Sequence, residues 1–105
     1  MSTLEGARIA DKVGVDRIET CVSLESGGLT PTLGMVNLIH NTFDLEQHIL
    51  IRQRAGGFHY TYDEVVVMRD DILQLRKAGV KGIVVGALNA DFTLDTDTIL
   101  SLIHI

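Results

Sequence analysis

The sequence predicts an α/β fold in which three short parallel strands alternate with four helices. The passages Lys12–Ile18 and Lys77–Ile83 resemble each other: in both, a helix-like stretch reaches a lysine, glycine follows two residues later, and a β-branched run begins. Glycine in the left-handed conformation ends many helices, so both passages indicate a helix-to-strand connection. The continuous apolar run Ile49–Ile51 is typical of a strand buried on both faces. Helical crossovers between such strands make them parallel.

We expect the strands near Arg17–Cys21, His48–Arg52 and Gly82–Gly86. Each is preceded and followed by a helical pattern, so the order along the chain is helix, strand, helix, strand, helix, strand, helix. The strands should lie in sequential order in the sheet, because each crossover is one right-handed step.

The first two helices are predicted from their capping residues. Ser2 and Glu5 have the spacing of a capping box, which predicts a helix over Thr3–Val13. Thr30 is the expected N-cap of the second helix, with Pro31 in its first helical position.

The last two helices follow the same logic. Thr61 and Glu64 form a second capping box, and apolar residues then recur at helical spacing as far as Gly79. Asp95 is the expected N-cap of the last helix. The apolar residues of that helix are Ile99, Leu100, Leu102 and Ile103.

Composition excludes several classes of protein. A single cysteine among 105 residues cannot form an internal disulfide framework. Nine Lys and Arg against fourteen Asp and Glu give a charge of −5, which argues against a general nucleic-acid binder. No run approaches the roughly 18 apolar residues of a membrane span, and no signal segment opens the chain. We therefore expect a cytosolic protein.

Ligands of parallel α/β folds bind at the carboxyl ends of the strands. In the first strand Arg17, Glu19 and Cys21 share one face. Arg17 and Glu19 either pair with each other or a neighbouring strand, or point into a site. Cys21, at the end of the strand, is either a soft-metal ligand or nucleophile, or a small buried apolar residue.

Two arginines follow the second strand. Arg52 and Arg54 share one side of the chain, and a guanidinium group binds carboxylate or phosphate through paired hydrogen bonds. They are therefore candidate anion ligands. The alternative is a salt bridge across the sheet to Glu19.

These same residues resemble the signature of the copper homeostasis protein CutC family. Asp16–Cys21 followed by Glu25–Pro31 looks like its first motif, Ile51–Phe58 is similar to its second, and Gly82–Gly86 continues in register. The sequence departs from the family at three positions. The family usually has Pro at Gln53, Asp at Gly57 and Gly at Phe92.

The resemblance implies a TIM-like (β/α) barrel of roughly twice this length. The chain would be one partial domain over residues 1–105, lacking the first strand and the later βα units. The resemblance also implies cytosolic Cu(I) binding, with Cys21 as the metal ligand. The alternative is a barrel enzyme acting on a small anionic substrate, with Arg52 and Arg54 as anion clamps and Glu19 as acid or base. Open strand edges make a homo-oligomer a further expectation.

Overall fold

The computed structural model describes residues 4–104, in which helices and strands alternate as the sequence predicts. The helices are α1 (Leu4–Val13), α2 (Leu33–Thr42), α3 (Tyr62–Lys77) and α4 (Thr96–Ile103), and the strands are β1 (Arg17–Thr20), β2 (Glu46–Ile51) and β3 (Gly82–Val85). A short 3-10 turn, Leu24–Ser26, lies in the loop after β1. None of the helices in this described part is long and apolar enough to cross a membrane.

The three strands form one parallel sheet in the order β1-β2-β3, which confirms the predicted topology. Glu19 lies opposite His48 in the first pairing, and Ile49 lies opposite Ile83 in the second. Each strand ends one residue before its predicted end. β2 begins two residues early, at Glu46, because the Glu46 amide donates to the Asp16 carbonyl at 3.3 Å and extends the pairing.

The predicted start of the second helix is wrong by two residues. Thr32 is the N-cap of α2, since its Oγ1 accepts from the Met35 amide at 3.2 Å. Thr30 is instead tied to the end of β2: its hydroxyl donates to the Arg52 carbonyl at 3.1 Å and accepts from the Arg52 amide at 2.8 Å. The capping residue Ser2, predicted for the first helix, lies outside the described residues.

The other predicted helix boundaries are confirmed. Thr61 Oγ1 accepts from the Glu64 amide at 3.2 Å, while Glu64 Oε1 accepts from the Thr61 amide at 2.9 Å. Asp95 caps α4 by accepting from the Thr98 amide at 3.1 Å. Gly14 and Gly79 follow their helices with φ of +89° and +86°, the left-handed conformation that their repeated sequence context predicts.

Helices cover one face of the sheet, and two apolar clusters lie beneath them. The larger cluster joins β2 to α2, α3 and α4, and the smaller joins β1 to α1 and α2. Their buried members are Val36, Ile49, Ile51, Met68, Ile72, Leu75 and Leu102 in the first, and Ala7, Ala10, Ile18, Ile39 and Leu45 in the second. Since strand residues alternate between faces, the opposite face carries Arg17, Glu19, His48, Leu50 and Val84. We call this second surface the open face.

Both outer strands pair on one side only, within residues 4–104. Beside β1, a groove of about 420 Å³ lies between the strand and α1, with Ile9, Val13 and Val15 exposed along it. Unpaired edges next to apolar surface favour association.

We predict that this chain, expressed alone, self-associates or is poorly soluble, so sedimentation velocity should show species larger than a monomer. A cooperative thermal transition of a monomer at ordinary concentrations would contradict this prediction.

The imidazole ring of His48 lies across Gly82 on the neighbouring strand. A Cβ placed on Gly82 would come within 2.9 Å of the ring, whereas one on Gly86 would meet nothing within 4 Å. We predict that Gly82→Ala lowers the free energy of unfolding by about 1–3 kcal/mol through overpacking. The control, Gly86→Ala, should change it by less than about 0.5 kcal/mol.

Urea denaturation measures both effects. Adding His48→Ala to Gly82→Ala should restore part of the loss, because the ring that the new methyl group meets is then absent. Equal stability of the two alanine variants would show that the ring moves aside freely.

Candidate functional site

The loops that follow β1 and β2 meet at the carboxyl end of the sheet around Arg52. Its Nη1 donates to the carbonyls of Ser26 at 2.7 Å and Gly28 at 3.2 Å, and its Nη2 donates to the Gly56 carbonyl at 2.8 Å. Arg52 extends directly from the end of β2, where the core holds the chain in place, and is only 8% exposed. One side chain therefore joins both loops to the sheet.

The positive charge of Arg52 is stabilised by the dipoles of these backbone carbonyls and by an aromatic ring. Its Cζ lies 4.9 Å from the centroid of the Phe58 ring, a cation–π contact. In the described part of the chain it forms no ion pair, and its Nε is buried without a hydrogen-bond partner. The anion-clamp role expected for Arg52 would compete with these contacts, since both Nη atoms are already donating within the protein.

Cys21 lies immediately after β1, at the expected end of the sheet, but it is only 6% exposed. The chain folds back over it. The amides and carbonyls of Val22 and Leu29 bond each other in an antiparallel bridge, at 2.9 and 2.7 Å. Gly28 lies against the thiol, because a Cβ there would be 3.6 Å from Cys21 Sγ and 2.9 Å from Leu50 Cδ2. We call residues 22–29 the strap.

Soft donors for a metal are few in this region. Within residues 4–104, no group of three or more His, Cys, Asp or Glu residues is placed to hold a metal ion. Met35 and Met68 belong to the two apolar clusters on the helix-covered face. Cu(I) prefers thiolate and thioether ligands, and Cys21 is the single such donor found at the carboxyl end in the described residues. These residues alone do not make a complete Cu(I) site.

Arg54 pairs with Glu64, not with Glu19 as one alternative proposed. Its Nε donates to Glu64 Oε2, and its Nη2 donates to the His59 carbonyl at 3.0 Å. Its Cζ also lies 4.9 Å from the centroid of the Tyr60 ring. Arg54 therefore holds the loop after β2 onto the first turn of α3.

Two of the positions at which the sequence departs from the expected family pattern lie beside this pair. Gln53, where the family usually has Pro, donates from Nε2 to Glu64 Oε2 at 2.8 Å. Gly57, where the family usually has Asp, presents its backbone carbonyl to Arg54. The Gln53 side chain thus supports the Arg54–Glu64 pair, whereas the contact of Gly57 is one that the backbone of any residue could make.

The third departure lies in the loop after β3. Phe92 has φ of +67° and is 83% exposed. The turn around it is closed by the Asn89 amide, which donates to the Thr93 carbonyl at 2.8 Å, and by the Phe92 amide, which donates to the Asn89 carbonyl at 3.0 Å. A left-handed φ suits glycine, so the glycine that the family resemblance leads one to expect here would adopt this conformation without strain.

Glu19 lies on the open face, in different surroundings from the two arginines. A shallow pocket of about 320 Å³ is lined by Arg17, Ile18, Glu19, His48 and Val84. Neither arginine of the β2 loop is among its lining residues. Among residues 4–104 the structure therefore does not bring Glu19, Arg52 and Arg54 together in one pocket.

Sequence reasoning did not identify Glu46 and His48 as polar residues of the open face. Glu46 Oε2 lies 3.1 Å from His48 Nε2 and 3.9 Å from Arg17 Nη1. The available signal was the spacing of Glu46 and His48, which are two residues apart at the polar start of β2 and therefore on one face. Arg17 thus pairs with the neighbouring strand, one of the two structural alternatives.

Sequence reasoning also treated Glu64 only as a cap. The hydrogen bond from Arg54, and next that from the Thr61 amide, lower the pKa of the Glu64 carboxyl from 4.5 to about 2. Burial raises the pKa of the nearby Tyr60 hydroxyl, which has no hydrogen-bond partner in the described residues. Glu64 is therefore a carboxylate at any ordinary pH and is not suited to be a general acid.

This low pKa predicts acid sensitivity. A carboxylate whose pKa falls on folding stabilises the protein above its unfolded pKa, near 4.5, and loses that contribution as the pH falls toward about 2. We predict that the difference in unfolding free energy between the parent and Glu64→Gln narrows over this range. Urea denaturation at several pH values measures it. When Arg54 is also replaced by alanine, this difference should change less with pH, because the hydrogen bond from Arg54 is then absent. If the difference changes with pH as much as before, Arg54 is not the cause of the low pKa.

Comparisons with known proteins agree on a family. A family model described as the CutC family matches residues 1–105. A Caenorhabditis elegans relative named copper homeostasis protein cutC homolog is 40% identical over 105 residues, which cover 99% of this chain and 42% of the relative. A family protein CutC from Mesorhizobium japonicum is 41% identical over 92 residues, which cover 88% of this chain and 36% of that protein. The chain spans less than half the length of these relatives.

A solved structure confirms the fold. The crystal structure of a Streptococcus agalactiae protein assigned as the copper homeostasis protein CutC superposes with a TM-score of 0.90 at 28% identity. The superposition covers 99% of this chain and 51% of that one. The three parallel strands and their helices thus match part of a TIM-barrel-like fold. Because the family model matches the full length of the sequence, this chain belongs to the CutC family.

Proposed function

We propose that this chain acts in copper homeostasis as a cytosolic Cu(I)-binding part of a TIM-like barrel, with Cys21 as a thiolate ligand. The observation that carries the proposal is the position of the thiol. Cys21 follows β1 directly at the carboxyl end of the sheet, which is the end where ligands of (β/α) folds bind. The choice of copper as the metal rests on the names of the relatives, which refer to copper homeostasis.

The donor chemistry supports copper as cargo. A thiolate is a soft ligand that suits Cu(I). The second soft donor has to come from residues outside this range or from another chain. Copper binding therefore depends on a partner segment, and a homo-oligomer is one arrangement that supplies it.

Replacing the thiol tests the proposal. Cys21→Ser keeps a similar volume but substitutes a hard, weakly acidic hydroxyl, so the affinity for Cu(I) should fall by at least about tenfold, or ~1.4 kcal/mol. Competition titration against a Cu(I) chelator measures this. The experiment belongs in a complete homologous barrel that carries the same residues, because the chain spans only part of its relatives.

Met35→Leu is the matched control. It also removes a sulfur atom, but Met35 packs against the smaller apolar cluster between α1 and α2, so the affinity should not change. If Cys21→Ser binds Cu(I) as tightly as the parent, Cys21 is not the ligand.

A further inference from the structure

We infer that the strap, residues 22–29, gates the Cys21 thiol, and that Arg52 is the latch that keeps the gate closed. The metal that would be admitted rests on the proposed function, but the gate itself rests on geometry alone. Cys21 is 6% exposed, and Gly28 lies directly against its Sγ. A soft metal ion or a thiol reagent can reach this sulfur only when the strap moves.

The strap buries only part of its apolar surface: Val22 and Leu29 are half-buried, and Gly28 lies against Leu50. None of the residues in its 3-10 turn is buried, and the largest apolar side chain there, Leu24, is 60% exposed. Segments that bury little apolar surface open locally at a lower free energy than the whole domain unfolds. The strap is therefore suited to open while the sheet remains folded.

The backbone of the strap is also conformationally demanding. Ser23, Gly27 and Gly28 all have positive φ, at 53°, 87° and 99°. The left-handed conformation is unfavourable for a serine, so Ser23 adds strain that the closed form must offset. Closure consequently depends on the few hydrogen bonds that hold the strap down.

Arg52 provides the long-range part of those hydrogen bonds. Its Nη1 donates to two strap carbonyls, those of Ser26 and Gly28, while its backbone is held by β2 and Thr30. The fit is close, because a Cβ on Gly27 would lie 2.9 Å from Nη1. The remaining backbone hydrogen bonds of the strap are local: they are those of the bridge between Val22 and Leu29 and those inside the turn.

The arginine of the next loop is a natural comparison. Arg54 also donates to backbone carbonyls and also contacts an aromatic ring, but its bonds all lie within the loop after β2 and to Glu64. It makes none of the strap contacts. A change at Arg54 should therefore disturb a loop of similar size without releasing the strap.

The test measures the rate at which Cys21 reacts with an aromatic disulfide reagent, dithiobis(nitrobenzoate), in a complete homologous barrel that carries the same residues and in which every other cysteine is replaced by serine. The Cys21 thiolate attacks one sulfur of the reagent, a mixed disulfide forms, and one thionitrobenzoate anion leaves, so each reaction gives one coloured product. The parent should react slowly relative to the chain unfolded in urea. Cys21→Ser gives the blank.

Arg52→Ala and Arg52→Lys should both accelerate the reaction, by at least about tenfold for alanine, because lost charged hydrogen bonds shift the opening equilibrium by that much or more. Lysine should have a smaller effect, since a single ammonium reaches fewer carbonyls than the guanidinium fork. The Arg54→Lys variant should react at a rate within about twofold of the parental rate, because Arg54 makes no contact with the strap.

The dependence of the rate on urea separates gate opening from general unfolding. Local opening exposes little surface, so the accelerated rate at low urea should vary only weakly with urea concentration. Unchanged rates in both Arg52 variants would overturn the inference. So would acceleration that rises with urea as steeply as global unfolding does.

This outcome is independent of the proposed function. If Cys21→Ser leaves the Cu(I) affinity unchanged but the Arg52 variants react faster, the copper assignment fails and the gate stands. If Cys21→Ser abolishes Cu(I) binding but the Arg52 variants react at the parental rate, the gate fails and the ligand assignment stands.

Discussion

The carboxyl end of this sheet depends on one buried guanidinium group. Arg52 leaves the end of β2 and donates to carbonyls of both neighbouring loops, and Thr30 bonds the backbone of the same residue. Burying a charge is costly unless hydrogen bonds and dipoles compensate it, so this arrangement is stable only when the loops surround the group. The loops in turn have few other ties to the sheet. The positions of the strap, and hence of Cys21, follow from this mutual dependence.

The same constraint explains why the two arginines differ from what their residue type suggests. A guanidinium fork matches a carboxylate, and Arg54 does find one in Glu64, ten residues further along the chain. Arg52 instead satisfies the outward carbonyls of tight turns, where glycines leave the backbone accessible. The pair of arginines therefore builds the loops, and a bound anion would have to replace contacts that already exist.

The two faces of the sheet divide the structure into a packed side and an open side. On the helix-covered side even the polar Gln47 is hydrogen-bonded at both ends of its amide, donating to the Val36 carbonyl at 3.0 Å and accepting from the Thr20 hydroxyl at 2.8 Å. On the open face, charged groups of β1 and β2 lie side by side in the parallel register. In a TIM-barrel-like fold that face lines the barrel interior, so its polar residues are a property of the barrel as a whole.

The sequence by itself determined the elements and their order, because those depend on local chemistry. The glycines after α1 and α3, the capping box at Thr61 and the apolar run of β2 each specify their own conformation within a few residues. It also located Cys21 and Arg52 at strand ends. Only the tertiary structure decided what these residues do. Thr30 loses its capping role to a contact with β2, Arg52 bonds carbonyls that no residue pattern reveals, and the thiol is buried by a loop that left-handed residues fold back. These outcomes depend on distances between segments that are far apart in the chain, which local propensity does not encode.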